Sequence, residues 1–549
     1  MRIKKILSCA MALTLAASML AACGSSSNVG NTGTPTPSAS GQPSASPSGT
    51  AEGERTKDGI MYTEGVPIVD EKDSFSFTLF VDDSQEDDDY VILDLLEEQT
   101  GVKVELMKYP YAVAQEKLAL QLNSGDYADC IGGWTLSANS ILTYGVDEGV
   151  FIPLEDYFDK YAPKITEILS LEGVRETMTT PDGHIYSIPY ALSAPQVAFN
   201  PYINTTWLKN VGMEMPTTTE ELRAVLKAFK EKDANGNGDP NDEIPFTTDP
   251  NNKHLGELAG WFGMSVNDEG FTMVDGKLTF GANTEEYKNG IKFLASLYAE
   301  GLVDNEMFTQ DSAQWKAKGG QNLYGVSIMY GSGDIMPYDA GTKPEWEPLP
   351  VLKGSDSVTP VFLRDSYGTS VLKNQVVITD NAKNPEIIVR WWDNLFELEN
   401  SLQTHNGPIG VTVVKGDDGS YTRIDTSKTM SEAEQKIYEW GNLFPQSLPR
   451  YLPNGFKIKE EVETYQEKPV VEALYAPYLT EAIPEYWAKT EDATKLADLS
   501  TAIKDYVIQK KAEWISGQTD IDKDWDNYLN QLQKLKLQDL IDIRTSVLN

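Results

Sequence analysis

A chain of 549 residues with 40% hydrophobic and 10% aromatic residues can bury more than one core and is too apolar for general disorder. Its 46 Lys and Arg against 83 Asp and Glu give a formal charge of −37, which opposes binding to phosphate backbones and makes nucleic acid an unexpected partner. A solvated surface accounts for that acidity and assigns the acids no chemistry as a class.

Arg2, Lys4 and Lys5 precede an apolar or small-residue run from Ile6 to Leu20. This is the pattern of a secretory signal, and the run is short for a membrane-spanning helix. Leu20-Ala21-Ala22-Cys23, followed by Gly24 and Ser25, resembles the lipobox of bacterial lipoproteins. The resemblance implies a signal peptide over 1–22 and Cys23 as a diacylated, palmitate-bearing anchor on the extracellular face of the cell membrane. Ser, Gly, Thr, Pro and Ala then dominate to about Arg55, a composition that forms no core and serves as a flexible tether. Anchor and linker together are expected over 23–74. Cys9 leaves with the signal and Cys23 carries lipid, so Cys130 has no partner for an intrachain disulfide; in Asp129-Cys130-Ile131 it reads as a small core residue of a strand.

The folded body is expected from Phe75, where Phe75, Phe77 and Leu79 alternate with Ser76 and Thr78 up to Asp82 and Asp83. A helix over about 89–99 stops at Gly101, Val102, Val104 and Leu106 alternate again, and a second helix over about 112–123 leads through Gly125 to the strand at Cys130. Strands alternating with helices predict a mainly parallel α/β sheet, whose ligands gather outside the carboxyl ends of the strands. Asp83 and Trp134 fall there.

Lys117–Gly133, with its helix, Gly-Asp turn and strand, is similar to a segment near the start of ABC-transporter solute-binding proteins. Phe151-Ile152-Pro153-Leu154, the crossing segment Asp182–Pro189, Asn200, Trp207-Leu208 and the Pro-Thr-Thr run at 216–218 continue the resemblance. So do Tyr298–Asp304, Phe308, Trp514–Gly517 and Trp525. It implies a two-lobed periplasmic-binding-protein type 2 fold with a hinge and a helical C-terminal part. The expected lobes are 75–193 with 355–405, and 194–354 with 406–549, the chain returning to the first lobe through Glu347-Pro348-Leu349-Pro350.

Thr218 and Glu221 have capping-box spacing, and Leu222, Val225, Leu226 and Phe229 share the core face of the helix they open. Directly after it, Asp233, Asn235 and Asn237 stand at alternate positions, with Gly238 sixth and Asp242 and Glu243 closing the loop. Alternating oxygens around a glycine turn suit calcium, and the competing account is a metal-free Asx and glycine turn. An EF-hand has Glu at its twelfth place, where this chain has Ile244. The loop more closely resembles that of oligosaccharide-binding lipoproteins, which also ends Asp-Glu-Ile-Pro. The resemblance implies a structural calcium held by Asp233, Asn235, Asn237, Asp239 through its carbonyl, Asp242 and Glu243.

Three dispersed histidines, His184, His254 and His405, have no metal-ligand spacing, and no P-loop, dinucleotide fingerprint or nucleophile elbow occurs. No catalysis is expected. The chain reads as a monomeric lipid-anchored receptor that captures an oligosaccharide between two lobes and presents it to ABC permeases. Asp83, Trp134, Tyr190, Gln196, Trp261 and Tyr330 are the expected ligand residues, placed by loop position and residue type. An oligopeptide receptor of the same fold and a secreted carbohydrate-active enzyme remain alternatives.

Overall fold

The computed structural model describes residues 54–81, 90–191, 196–250, 253–336, 345–364, 371–453, 456–461, 466–484 and 486–548, all within one compact unit. Signal, anchor and most of the tether lie outside them, as does Asp83.

Strand β1 (Asp73–Val81) is buried on both faces from Phe77 onward, as befits the centre of a covered sheet. It pairs in parallel with β2 (Val102–Pro110) on one side and with β3 (Cys130–Gly132) on the other. Between β1 and β2 the helix Val91–Thr100 ends at Gly101, whose φ of 77° lets its N–H turn back to the Glu97 carbonyl. Strand β4 (Tyr190–Ala191) ends this first pass.

The second sheet is built from β5 (Asn200–Asn204), β6 (Ile244–Thr248), β9 (Tyr324–Met329) and β10 (Trp346–Pro348), with the hairpin β7 (Phe271–Val274) and β8 (Lys277–Phe280) beside it in sequence. Its order is β10-β5-β9-β6. Only β6 and β9 run parallel; β5 lies antiparallel to both its neighbours, so the expectation of mainly parallel sheets fails here. The helix Thr219–Glu231 forms with the expected capping box and buries Leu222, Val225, Leu226 and Phe229, Phe229 meeting Trp207 edge to face at 5.3 Å.

The chain returns through β11 (Val371–Leu372), antiparallel to β4, and β12 (Val376–Ile378), the antiparallel edge of the first sheet in the order β12-β3-β1-β2. The helix Pro385–Leu395 then covers one face. Trp391 and Trp392 pack edge to face against Phe75 and Phe77, at 5.7 and 6.3 Å, which the two-residue strand period places on the same side of β1.

Two large cores result, and several expected boundaries move. Met61, Ile68 and Val69, inside the stretch expected as linker, belong to the first core. The return does not occur at 347–350, because Trp346–Pro348 pairs with β5 and Phe362 lies in the second core. Leu443, Phe444 and Leu448, expected in the second lobe, fill the first, while Leu402, Val413 and Tyr421 form a small cluster of their own. Apolar residues in a sequence do not say which of two cores takes them. The C-terminal helices Thr490–Ile515 and Ile521–Lys534 send Ile503, Val507, Trp514, Trp525 and Tyr528 into the second core. Just before the first of these helices, Trp487 Nε1 donates to the Thr177 carbonyl of the first lobe at 2.7 Å.

The segment leading to β4 is held by polar contacts. Asp182 accepts from the Thr180 hydroxyl and from the Tyr186 hydroxyl at 2.7 Å. Glu155 takes the Ile185 N–H at 3.1 Å and His184 Nδ1 at 2.5 Å. The hydrogen bond to Glu155 raises the His184 pKa above 6.5. Burial works to raise Glu155, but the bonds from His184 and Ile185 outweigh it and hold it below the ordinary range. A raised histidine stabilises the fold fully below its unfolded value and loses that contribution as pH climbs through the folded value. His184→Gln should therefore lower the melting temperature most at pH well below 6.5, and the deficit should shrink on the alkaline side, as followed by calorimetry at several pH values.

Candidate functional site

At the carboxyl end of β3 the chain turns at Gly133 (φ 103°), where a Cβ would sit 3.2 Å from the Phe80 carbonyl and 3.4 Å from Ser447 Oγ. Glycine is required there, and the turn presents the next residue, Trp134, 57% exposed. Tyr111, the residue after the end of β2, lies parallel to it, with centroids 6.4 Å apart and planes 11° apart. The loop under Trp134 is fixed by Gln115 Nε2 donating to the Thr135 carbonyl at 3.0 Å and by Asn374 Nδ2 donating to the Leu136 carbonyl. Two rings from the strands flanking β1 thus make one aromatic surface. Tyr111 was missed, although an aromatic residue immediately after a strand was the available signal.

In the second lobe, Tyr330 follows β9 and is 44% exposed. Its N–H donates to Asp334 Oδ2 at 2.9 Å, and its carbonyl accepts the Tyr202 hydroxyl at 3.3 Å. Lys468 Nζ stands 3.9 Å from the ring centroid, and Phe199 packs against the ring edge to face at 5.8 Å. Phe199 in turn stacks on His254 at 4.2 Å, whose Nδ1 meets Glu257 at 2.9 Å. The helix Glu467–Tyr475 buttresses this wall: Glu467 accepts the Ser332 N–H at 2.9 Å and its hydroxyl, and Lys468 Nζ donates to the Ala198 carbonyl at 2.5 Å. Gln196 sits beside the same helix, its backbone N–H 3.3 Å from Glu472 Oε1.

Tyr190 is only 2% exposed, on β4, with the Arg450 guanidinium 6.0 Å from its ring centroid; burial pushes its phenol pKa up. Trp261 requires a correction. Its neighbouring glycines read as a loop, yet it lies within the helical stretch Lys253–Phe262 and is 1% exposed in the second core, edge to face with Phe293 at 6.3 Å. Gly260 permits this, because a Cβ there would fall 2.0 Å from the Val361 carbonyl. Trp261 is a packing residue.

In the loop before β6, Asp233 Oδ2 accepts the Gly238 N–H at 3.0 Å and Glu243 Oε1 the Ala234 N–H at 2.8 Å. Their other oxygens, Asp233 Oδ1 and Glu243 Oε2, are buried without a hydrogen-bond donor, and burial raises the Glu243 pKa. Two orphaned carboxylate oxygens fit a hard cation. The remaining candidates are engaged with one another: Asn235 and Asn237 donate side-chain amides to Asp242 at 3.0 and 2.7 Å, and Asp239 accepts from Asn241. Among the described residues no three His, Cys, Asp or Glu side chains stand together as a metal cluster. A groove of about 800 Å³ between the two C-terminal helices, lined by Tyr506, Lys510 and Asn527 among others, contains none of the expected ligand residues.

The contrast between the two tryptophans is measurable. Trp261→Ala should cost about 3–5 kcal/mol in urea unfolding, whereas Trp134→Ala should leave stability within about 0.5 kcal/mol.

The family described as bacterial extracellular solute-binding protein matches residues 92–387. The chain is 32% identical over 474 residues to the fructooligosaccharide ABC transporter substrate-binding protein FusA of Streptococcus pneumoniae, covering 83% of this chain and 86% of that one. A structure of a FusA EF-hand mutant in complex with fructo-nystose superposes with a TM-score of 0.75 at 30% identity, over 86% of this chain and 98% of that one. The alginate-binding protein AlgQ2, solved without calcium ion, shares the fold at 23% identity and a TM-score of 0.69, over 88% of this chain and 100% of that one. With its two sheets, its hinge and this match over more than half its length, the chain belongs to the bacterial extracellular solute-binding protein family.

Proposed function

We propose that the protein captures an oligosaccharide between its lobes and delivers it to an ABC transporter. The observation that carries this reading is the exposed, parallel pair Tyr111 and Trp134 at the strand ends of the first lobe. Flat rings present an apolar face to the C–H face of a sugar, and neighbouring polar groups take its hydroxyls. Tyr330 offers a second ring from the other lobe. A solute touching both walls favours the closed state by its extra contacts, and the two-strand link β4–β11 is where closure bends the chain. The protein acts by binding and release, not turnover. Its kinship to FusA favours a fructo-oligosaccharide as the solute.

The loop from Asp233 to Glu243 is read as a structural calcium site in which Asp233 Oδ1 and Glu243 Oε2 supply the principal charge, with Asn235, Asn237, Asp239 and Asp242 as further oxygen sources. A cation there would brace the second lobe by tying the end of helix Thr219–Glu231 to the start of β6. The FusA relative, with its EF-hand, supports this reading.

Both proposals meet in one experiment: thermal shift of the soluble body against fructo-oligosaccharides, galacturonate oligomers and peptides, with calcium and with chelator, and with the sugars analysed afterwards. At a hundred times its dissociation constant a ligand adds about 2.7 kcal/mol. A fructo-oligosaccharide should raise the melting temperature and be recovered intact, and Trp134→Ala should weaken it about tenfold or more. Stabilisation by peptides alone, or cleaved sugar, would overturn the reading. Melting that is indifferent to chelation would remove the metal.

Cys23 is proposed as the lipid anchor that keeps the body beside the permeases on the extracellular face. Cys23→Ser should shift the protein from the membrane fraction to the medium; retention on the membrane would refute the anchor.

A further inference from the structure

In a protein this acidic, an arginine without an acid partner is conspicuous. Six of the eight described arginines, Arg55, Arg175, Arg223, Arg390, Arg423 and Arg544, form ion pairs with carboxylates. Arg364 and Arg450 do not, among the described residues. Arg364 follows Phe362 of the second core; Arg450 follows Leu448 of the first and faces Tyr190 of β4, one of the two linking strands.

Arg450 is the better defined. Its loop is pinned on both sides, by the buried Ser447, Leu448 and Pro449 and by the Tyr451 N–H donating to Ser401 Oγ at 3.0 Å. Ser447 lies against Gly133, so Arg450 stands within about 10 Å of chain from the turn that presents Trp134. Its guanidinium faces the ring of Tyr190, and Nη1 is buried with no acceptor among the described residues. A guanidinium stays protonated and can only donate. Holding one half-buried on a rigid loop without an acceptor costs stability, a cost offset when an oxygen-bearing ligand arrives.

Resting on the oligosaccharide reading, we propose that Arg450 is a ligand-contacting residue whose planar fork takes two neighbouring oxygens of the bound sugar. Those oxygens are adjacent hydroxyls in a neutral sugar or the carboxylate in a uronate. The fork sets the register of the sugar against the Tyr111–Trp134 surface, because two parallel donors fix an orientation that a single ammonium does not.

The test measures sugar affinity by calorimetry for the wild-type body, Arg450→Gln and Arg450→Lys, beside the melting temperature of each without sugar. Arg450→Gln should weaken binding about 10–100-fold with the unliganded melting temperature unchanged or raised, since no acid partner is lost. Arg450→Lys keeps the charge and loses the fork, and should stay about tenfold weak or more. A deficit for fructo-oligosaccharides identifies the hydroxyl pair; one confined to galacturonate oligomers identifies the carboxylate. Equal affinity of Arg450→Gln and wild type, or full recovery in Arg450→Lys, overturns the fork. So does a lowered melting temperature with affinity retained, which would make Arg450 a packing residue over Tyr190. A wild-type body that takes no sugar defeats the oligosaccharide reading itself, and this proposal with it.

Discussion

Two large cores that share no residue are tied together by a thin link, and the rest of the architecture follows from that division. Each core closes on its own sheet, one around Phe75, Phe77 and Trp392, the other around Tyr202, Phe229 and Trp207. Among the described residues the link includes the two-residue pairing of β4 with β11, the contact of Trp487 with Thr177, the Lys373 ammonium donating to the Tyr486 carbonyl, and a small apolar cluster of Leu142 with Ala488 and Ala493. Burial scales with apolar area, so each lobe is stiff, whereas a link of few hydrogen bonds and one small apolar cluster deforms at smaller cost. Motion is thereby directed to the hinge, and groups on opposite sides of it are the ones whose separation a solute can change.

The faces brought to the hinge are chemically unlike the bulk surface. Most of the chain handles its acidity by exposure and by pairing six of the eight described arginines with carboxylates. Beyond β3 and β9 the pattern changes to exposed rings, Trp134 and Tyr330, and Arg364 and Arg450 have no carboxylate partner among the described residues. Rings beside guanidinium donors suit a neutral or weakly acidic polyhydroxylated solute, whose hydroxyls both accept and donate. The acidic exterior has the separate effect of keeping the body soluble and apart from its neighbours.

Much of this was legible without coordinates. The capping box of Thr218 and Glu221 and the four core positions behind it depend on residues three and four apart, which a helix brings together wherever it sits. The strands around Phe75, Val102 and Cys130 announced themselves by alternation and by the glycines that ended the helices between them. The loop Asp233–Glu243 was recognisable because its oxygens come from one short segment. Misassignments arose where the partner is distant in sequence. Gly-Trp-Phe-Gly at 260–263 looks like a loop until the Val361 backbone is seen against Gly260, and Leu443 and Phe444 look like second-lobe residues until the first core is seen to receive them.

Local order and membership of a solute-binding family were thus written into residue types and short spacings. Exposure and pairing were not. Trp134 and Trp261 are the same side chain beside glycines, yet one is presented to solvent by a turn wedged against Phe80 and Ser447 while the other is sealed by Phe293. Arg423 meets Glu460 while Arg450 has no acid partner among the described residues, a difference decided by how distant parts of the chain are packed. Periodicity reports which face of an element is apolar; only the assembled lobes decide what that face, or an unpaired charge beside it, finally meets.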